Sequence, residues 1–320
     1  MSRKIKIDQI DPEEQLLVRL VWACDIEGLT QAAAADRFGI TRLRVNKALS
    51  EARERGIVRI SVDSVYAACA ELEWDLARKY GLERAVVVPT PEDKRAIQTL
   101  VGNGLGTVLH SVLQDPEIRV FGMSWGNTLN MATRYMEPLN RPDLEIASIM
   151  GGLAQGSDVN IYEITTRLAD LCNADHSYFT APLYAGSPES REMFFQQDVI
   201  QEMLDKIRSC DAVAMAAGDL RSSLLVKDAL PKDVDADALI AKGGVGDLMG
   251  YVLDANGQEI DHPINSRIIG MTISDLEKIS NVILAAGGLF KVKIIRAILR
   301  RGIINTLVTD EDTARALIAK

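Results

Sequence analysis

Paired cysteines, a membrane-length apolar run, histidines in glycine-rich loops and a basic overall charge are all missing from this sequence, and each absence removes a class of function. The four cysteines, Cys24, Cys69, Cys172 and Cys210, are scattered without C-x-x-C spacing, so neither a zinc knuckle nor a disulfide framework is indicated. No metal site and no cofactor is expected. No apolar run approaches the roughly 18 residues a spanning helix requires, and the N-terminus MSRKIKIDQID is polar rather than signal-like. The expected setting is the reducing cytoplasm, without a membrane partner. His110, His176 and His262 are the only histidines, and none lies in a glycine-rich loop motif, which leaves sugar isomerisation without an obvious imidazole base. The net charge of −9 argues against non-specific nucleic-acid binding by the chain as a whole.

What is present is uneven in a telling way. Residues 1–60 carry 11 Lys/Arg against 9 Asp/Glu, net +2, and the remaining 260 carry 25 against 36, net −11. Within Arg37 to Ile60 the count is 7 against 2. That basic stretch overlaps Leu29 to Val58, LTQAAAADRFGITRLRVNKALSEARERGIV, which reads as a helix-turn-helix. Thr30 is placed to cap a first helix running through Gln31 and the Ala32 to Ala35 block to Phe38. Gly39 ends it, because glycine most easily takes the left-handed conformation of a tight helix-helix turn, and Ile40 follows as an apolar plug. Thr41 caps a second helix in which Val45, Leu49 and Ala52 recur at helical spacing and face a small core. Arg42, Arg44, Asn46 and Lys47 are left on the open face. Arg and Lys pair with phosphates or guanine edges and Asn bonds adenine bidentately, so these residues, with Thr30, Gln31 and Thr41, are the candidate contacts to double-stranded DNA. GIVRISV after the second helix has the composition of a short strand, which would make a wing.

The length of 320 residues and 47% hydrophobic content suit about two domains with a sizeable core in the larger. The expected division is a helix-turn-helix domain over 1–62, a linker helix over 63–82 and a ligand-binding domain over 83–320. The linker, Tyr66 to Tyr80, has Leu72, Leu76 and Tyr80 at helical spacing and ends at Gly81. It suits pairing with its twin in a dimer or packing on its own domain equally well.

From Glu83 on, short β-rich runs alternate with helical stretches: RAVVVP, then 99–113; IRVFGMSWG, then 128–136; LEIASIMGG, then 162–173; HSYFTAP, a helix near 199–209, DAVAMAAG, and NVILAAGG before a helix over 291–301. This alternation predicts an α/β domain with a mostly parallel sheet, whose ligand sits at the carboxyl ends of the strands. Three loops stand out there. Gly122 to Thr128, GMSWGNT, follows a strand and opens a helix, as a phosphate cradle does, and as many plain turns do. Gly151-Gly152 allows close backbone approach to a ligand or simply makes a turn. Asp247 in GVGDLMGYVLDANG and Lys291 in AAGGLFKVKII are suited to sugar hydroxyls and to a phosphate or carbonyl, or are surface charges at loop ends.

Five ordered motifs now carry a resemblance across nearly the whole chain: L-T-Q…F-G-I-T-R…A-R-E-R-G-I-V, G-M-S-W-G-N-T-L, A-P-L-Y, G-D-x-x-G-Y-x-x-D-x-x-G, and A-G-G-x-x-K-x-x-x-I-R-A-x-L-R-x-G…T-D-E-x-T-A. Together they resemble the SorC-type (DeoR-like sugar-binding) bacterial transcriptional regulators, and the TQAAAADRFGITRLRVNKAL variant is most similar to regulators of polyol catabolism, erythritol in particular. The resemblance implies a Rossmann-like domain of the sugar-phosphate-isomerase type behind a helix-turn-helix, a phosphorylated sugar or polyol as effector, and a tetramer on operator DNA. It places the phosphate loop on Ser124, Gly126, Asn127 and Thr128, the hydroxyl-binding acid on Asp247 and the ligand-proximal lysine on Lys291. Gly152 would line the same crevice, and Arg221 would make a second anion contact. Asn127 departs from the family, many of whose members have a basic or hydroxyl residue there, and Asn46 stands where Ser is often found. A sugar-phosphate isomerase or deaminase is the rival class, because it shares the implied fold. The N-terminal helix pair argues for a transcriptional regulator, with a repressor as the working expectation and no catalytic residues, since an isomerase has no need of it.

Overall fold

The computed structural model describes residues 11–58, 64, 66–153 and 160–319. The expected wing over GIVRISV falls largely outside the described residues. By internal contacts the chain divides into two units, residues 1–64 and 65–320.

The small unit is a three-helix cluster. Helix α1 (Pro12–Val21) begins where the Asp11 carboxylate accepts the amides of Glu13 and Glu14, and it runs into a π-helical turn, Trp22–Ile26. Helix α2 (Gln31–Phe38) is capped by Thr30, which accepts the Ala33 amide at 3.2 Å, and it stops at Gly39, whose φ of 66° is left-handed. Thr41 caps α3 (Arg42–Glu54) by accepting the Arg44 amide at 3.2 Å. Leu17 and Leu20 of α1 meet Ala34, Ala35, Val45, Leu49 and Ala52 in the core, and Ile40 packs against it. The apolar spacing of α3 therefore buries the face the sequence assigned to the interior.

The large unit begins with α4 (Ala67–Tyr80), ended by Gly81 at φ 69°. The chain then runs β1 (Arg84–Val88), α5 (Ile97–Leu113), β2 (Val120–Met123), α6 (Asn127–Tyr135), β3 (Glu145–Ser148), α7 (Ile161–Cys172) and β4 (Asp175–Ser177). It continues with α8 (Pro188–Phe195), α9 (Asp198–Arg208), β5 (Ala212–Met215), β6 (Ala217–Gly218), α10 (Ala236–Ala241), β7 (Gly246–Leu248) and β8 (Tyr251–Leu253). The last elements are α11 (Ile273–Leu276), β9 (Asn281–Ala285), α12 (Val292–Arg301), β10 (Thr306–Asp310) and α13 (Glu311–Ile318).

Seven strands form one sheet in the order β1-β10-β9-β5-β2-β3-β4, with every neighbouring pair parallel. Both faces are covered, so the central strands alternate between two apolar layers rather than between core and water. Ala212, Ala214, Ile283 and Ala285 face Leu105, Leu129 and Leu168 of α5, α6 and α7. Val213, Met215, Val282 and Leu284 face Leu76, Ile207, Ile294 and Ile298 of α4, α9 and α12. Helix α4 is gripped at its end, where Lys79 Nζ donates to the carbonyls of Leu317, Ile318 and Ala319 and Tyr80 Oη to that of Leu317. No helix among the described residues is long and apolar enough to cross a membrane.

From β2 the chain builds outward through β3 and β4, and from β5 it builds the other way through β9 and β10. The adjacent pair β2 and β5 is thus the point where strand order reverses, and the loops leaving their carboxyl ends diverge to open a crevice. A small antiparallel sheet, β6-β7-β8, continues directly from the end of β5.

Candidate functional site

In the small unit, Arg42, Arg44, Asn46 and Lys47 are all exposed on α3. Arg42, Asn46 and Lys47 make no hydrogen bond or ion pair among the described residues, and Arg44 Nη2 lies 4.0 Å from Glu13 Oε1. The Thr30 and Thr41 hydroxyls serve as caps, and Gln31 is half-buried. Leu43 was not singled out by the charge-centred reading of the sequence, yet it is 66% exposed in the first turn of α3. An apolar side chain there suits contact with a thymine methyl.

In the large unit a cavity of about 400 Å³ lies at the strand-order reversal, within the size range of small-ligand sites. One wall is the loop after β2 and the start of α6: Trp125, Gly126, Asn127 and Thr128. Gly126 takes φ 125°, turning the chain so that α6 points its N-terminus at the crevice. The amides of a first helical turn have no intrahelical acceptor, and the helix dipole adds to their pull on an anion. Asn127 Nδ2 donates to Gln98 Oε1 at 2.7 Å, so a side chain of α5 fixes this departure from the family pattern.

The opposite wall follows β5 and carries Gly218, Asp219, Ser222, Ser223 and Lys227. The Asp219 carboxylate accepts the amides of Arg221 and Ser222 at 2.8 Å each and the Ser222 hydroxyl at 2.9 Å, so it is consumed in holding its own turn. Asp247 is 5% exposed and accepts one hydrogen bond, from the Gly250 amide at 3.2 Å. It keeps acceptor capacity for a ligand hydroxyl. Burial raises its pKa to about 6, against the Gly250 hydrogen bond and the Lys291 charge, which lower it; Asp219 adds a smaller upward push. The turn that presents it is held by Tyr184, whose hydroxyl donates to the Gly250 carbonyl at 2.6 Å.

Lys291 closes the cavity from the turn after β9, only 7% exposed. Burial lowers its pKa, opposed by the charges of Asp247 and Asp219. No carboxylate oxygen among the described residues lies within 4.0 Å of Nζ; the Phe290 ring centroid is 5.8 Å away.

Of the residues proposed from sequence, the fold therefore brings Gly126, Asn127, Thr128, Asp247 and Lys291 into one cavity. Ser124, 1% exposed, does not line it and extends the β2–β5 pairing through its amide to the Ala214 carbonyl at 3.0 Å. Gly152 stands elsewhere, its amide on the Ala181 carbonyl and its Cα so close to Tyr162 that a Cβ would sit 2.5 Å from the ring. Arg221 is exposed beside the cavity without lining it, and Lys227 is the cation on that wall. Sequence reading missed Gln98, Asp219, Ser222, Ser223, Lys227 and Phe290; the G-D-L-R-S-S run was the signal for Asp219, Ser222 and Ser223, and the A-G-G-L-F-K run for Phe290. None of the three histidines lines the cavity.

Residues 64–319 match the family model described as "Putative sugar-binding domain", and residues 7–55 match that of "Sigma-70, region 4". The chain is 27% identical over 311 residues to the erythritol catabolism regulatory protein EryD of Brucella abortus, covering 97% of this chain and 98% of that one. It is also 27% identical over 315 residues to the transcriptional regulator LsrR of Klebsiella pneumoniae, covering 96% and 94%. Among solved structures, the full-length sorbitol operon regulator SorC of Klebsiella pneumoniae superposes with a TM-score of 0.73 at 24% identity, covering 97% of this chain and 100% of that one.

Proposed function

This chain belongs to the SorC family of sugar-binding transcriptional regulators, and on that footing we propose that it is a cytoplasmic repressor of a sugar or polyol catabolic operon, released by a phosphorylated carbohydrate. The observation that carries the effector is the pairing, in one cavity, of an anion-binding helix start at Gly126–Thr128 with a buried Asp247 and Lys291. The helix start takes the phosphate, Asp247 accepts a hydrogen bond from a hydroxyl and Lys291 supplies a point charge to an oxygen between them. Operator DNA is read by Arg42, Arg44, Asn46 and Lys47. The chain acts as a homo-oligomer, a tetramer on the operator.

The test is a thermal-shift panel of phosphorylated tetroses, pentoses, hexoses and their polyols, with the free compounds alongside. A ligand that binds only the folded state raises the melting temperature by mass action. Shifts confined to phosphorylated compounds, and reduced but still measurable in Lys291→Ala, support the assignment. Shifts by free polyols alone remove the phosphate from it, and silence across the panel leaves the large unit as an oligomerisation module. One observation favours the isomerase reading: Asp247, with a pKa of about 6, is suited to act as a general base. Turnover of any panel compound to its ketose or aldose isomer would replace the sensor by an enzyme.

A further inference from the structure

The turn that delivers Lys291 is anchored to a buried carboxylate that the site as described leaves unused. Asp310, the last residue of β10, is fully buried. Its Oδ1 accepts the Gly288 amide at 2.7 Å and the Thr313 hydroxyl at 2.6 Å, and its Oδ2 accepts the Thr90 hydroxyl at 2.9 Å and the Thr313 amide at 3.2 Å. The Gly288 amide is shared with Thr313 Oγ1 at 2.8 Å. The fit against the backbone is close: a Cβ on Gly287 would lie 2.5 Å from Asp310 Oδ1, and Gly288 takes φ 100°. Three residues beyond that clamp, at the end of the 3-10 turn Leu289–Lys291, the lysine enters the cavity.

A carboxylate with four donors around it is a rigid fixture, because moving it would leave several buried polar groups unpaired at once. We propose that Asp310, with Thr313, is a positioning residue of the effector site: it holds the Gly287–Gly288 backbone and thereby sets how deep Lys291 reaches. The inference rests on the effector reading of Lys291. It also gives a role to the T-D-E-x-T-A motif, which spans the end of β10 and the start of α13 and does not line the cavity. The competing account is that Asp310 serves α13 alone, whose N-cap it is.

A double-mutant cycle separates the two. Full-length wild type, Asp310→Asn, Lys291→Ala and the double variant are titrated calorimetrically with D-erythritol phosphate, D-ribose phosphate, D-fructose phosphate and inorganic phosphate, with melting curves as the control for folding. Asp310→Asn keeps the size of the side chain but sets an amide nitrogen among the donors. We expect it to weaken binding about tenfold, and we expect that loss to vanish in the Lys291→Ala background, the signature of two residues acting as one. An equal loss with and without Lys291, or no loss, overturns the proposal while leaving the effector reading standing. If wild type binds none of the four probes, the effector reading fails and takes the proposal with it. Should Asp310→Asn not fold, Thr313→Val, which removes the second acceptor of the Gly288 amide, is put through the same cycle and judged by the same outcomes.

Discussion

Asp247 shows how burial gives one carboxylate a measurable pH signature. Its folded pKa of about 6 lies above the ordinary carboxylate value, with burial the first cause. A raised carboxylate pKa means the folded state holds its proton more tightly than the unfolded state, so this residue's contribution to stability is fullest below the unfolded value and fades as pH rises through about 6. Hydroxyl recognition runs the opposite way, since only the ionised form accepts on both oxygens. Effector affinity is therefore expected to fall as pH drops through about 6, and Asp247→Asn to bind weakly with only the shallower profile of the effector phosphate's own titration at about 6, both by calorimetric titration. A pH-independent affinity in the wild type would remove Asp247 from the contact. In the small unit, Arg42 is exposed and its side chain has no partner among the described residues, and Arg42→Ala should weaken operator binding by about 1–3 kcal/mol without changing effector affinity. Unchanged footprints would move the reading face elsewhere on α3.

At the scale of elements, eight of the described α-helices were legible because their signals are local, while α1, α8, α10, α11 and α13 were not foreseen. Thr30, Gly39, Thr41 and Gly81 act at the positions where capping physics puts them. Thr41→Ala should therefore loosen α3 by about 1 kcal/mol, seen as faster hydrogen exchange of the α3 amides with those of the seven-stranded sheet unchanged. Equal protection in both proteins would mean that packing on Leu17 and Leu20 alone holds the helix. The six strands expected from apolar runs are all present, and β10 and the β6-β7-β8 sheet were not foreseen. β6, β7 and β8, of two or three residues each, are too short to show a period. The turn between β7 and β8 is made by Met249 and Gly250, at φ 52° and 87°, a left-handed pair for which Met gives no warning, whereas an Asn would.

For the whole molecule, the proposed repressor works only if occupancy of the cavity changes the arrangement in which DNA is read. A single recognition helix makes few base contacts, so operator affinity depends on two or more half-sites read together. Coupling of about 1–3 kcal/mol per site would change operator affinity roughly 5- to 150-fold. Sedimentation velocity is expected to show a tetramer of the 35.1 kDa chain. A monomer at micromolar concentration would exclude the cooperative scheme.

The sequence by itself determined what depends on neighbours along the chain: the longer helices of both units from α2 onward, where several of them are capped, which face of α3 is open, and which strand-end loops, those bearing Gly126, Asp247 and Lys291, are candidates for the site. Only the tertiary structure decided which of those loops meet. Strand order in a sheet is set by packing between segments far apart in sequence, and it puts β2 beside β5 and so faces Asn127 with Asp219 and Lys227. The same packing leaves Gly152 against Tyr162 and Ser124 buried outside the cavity lining. It also sets Asp310 under the Gly288 amide, 22 residues away along the chain, a contact that no local pattern encodes.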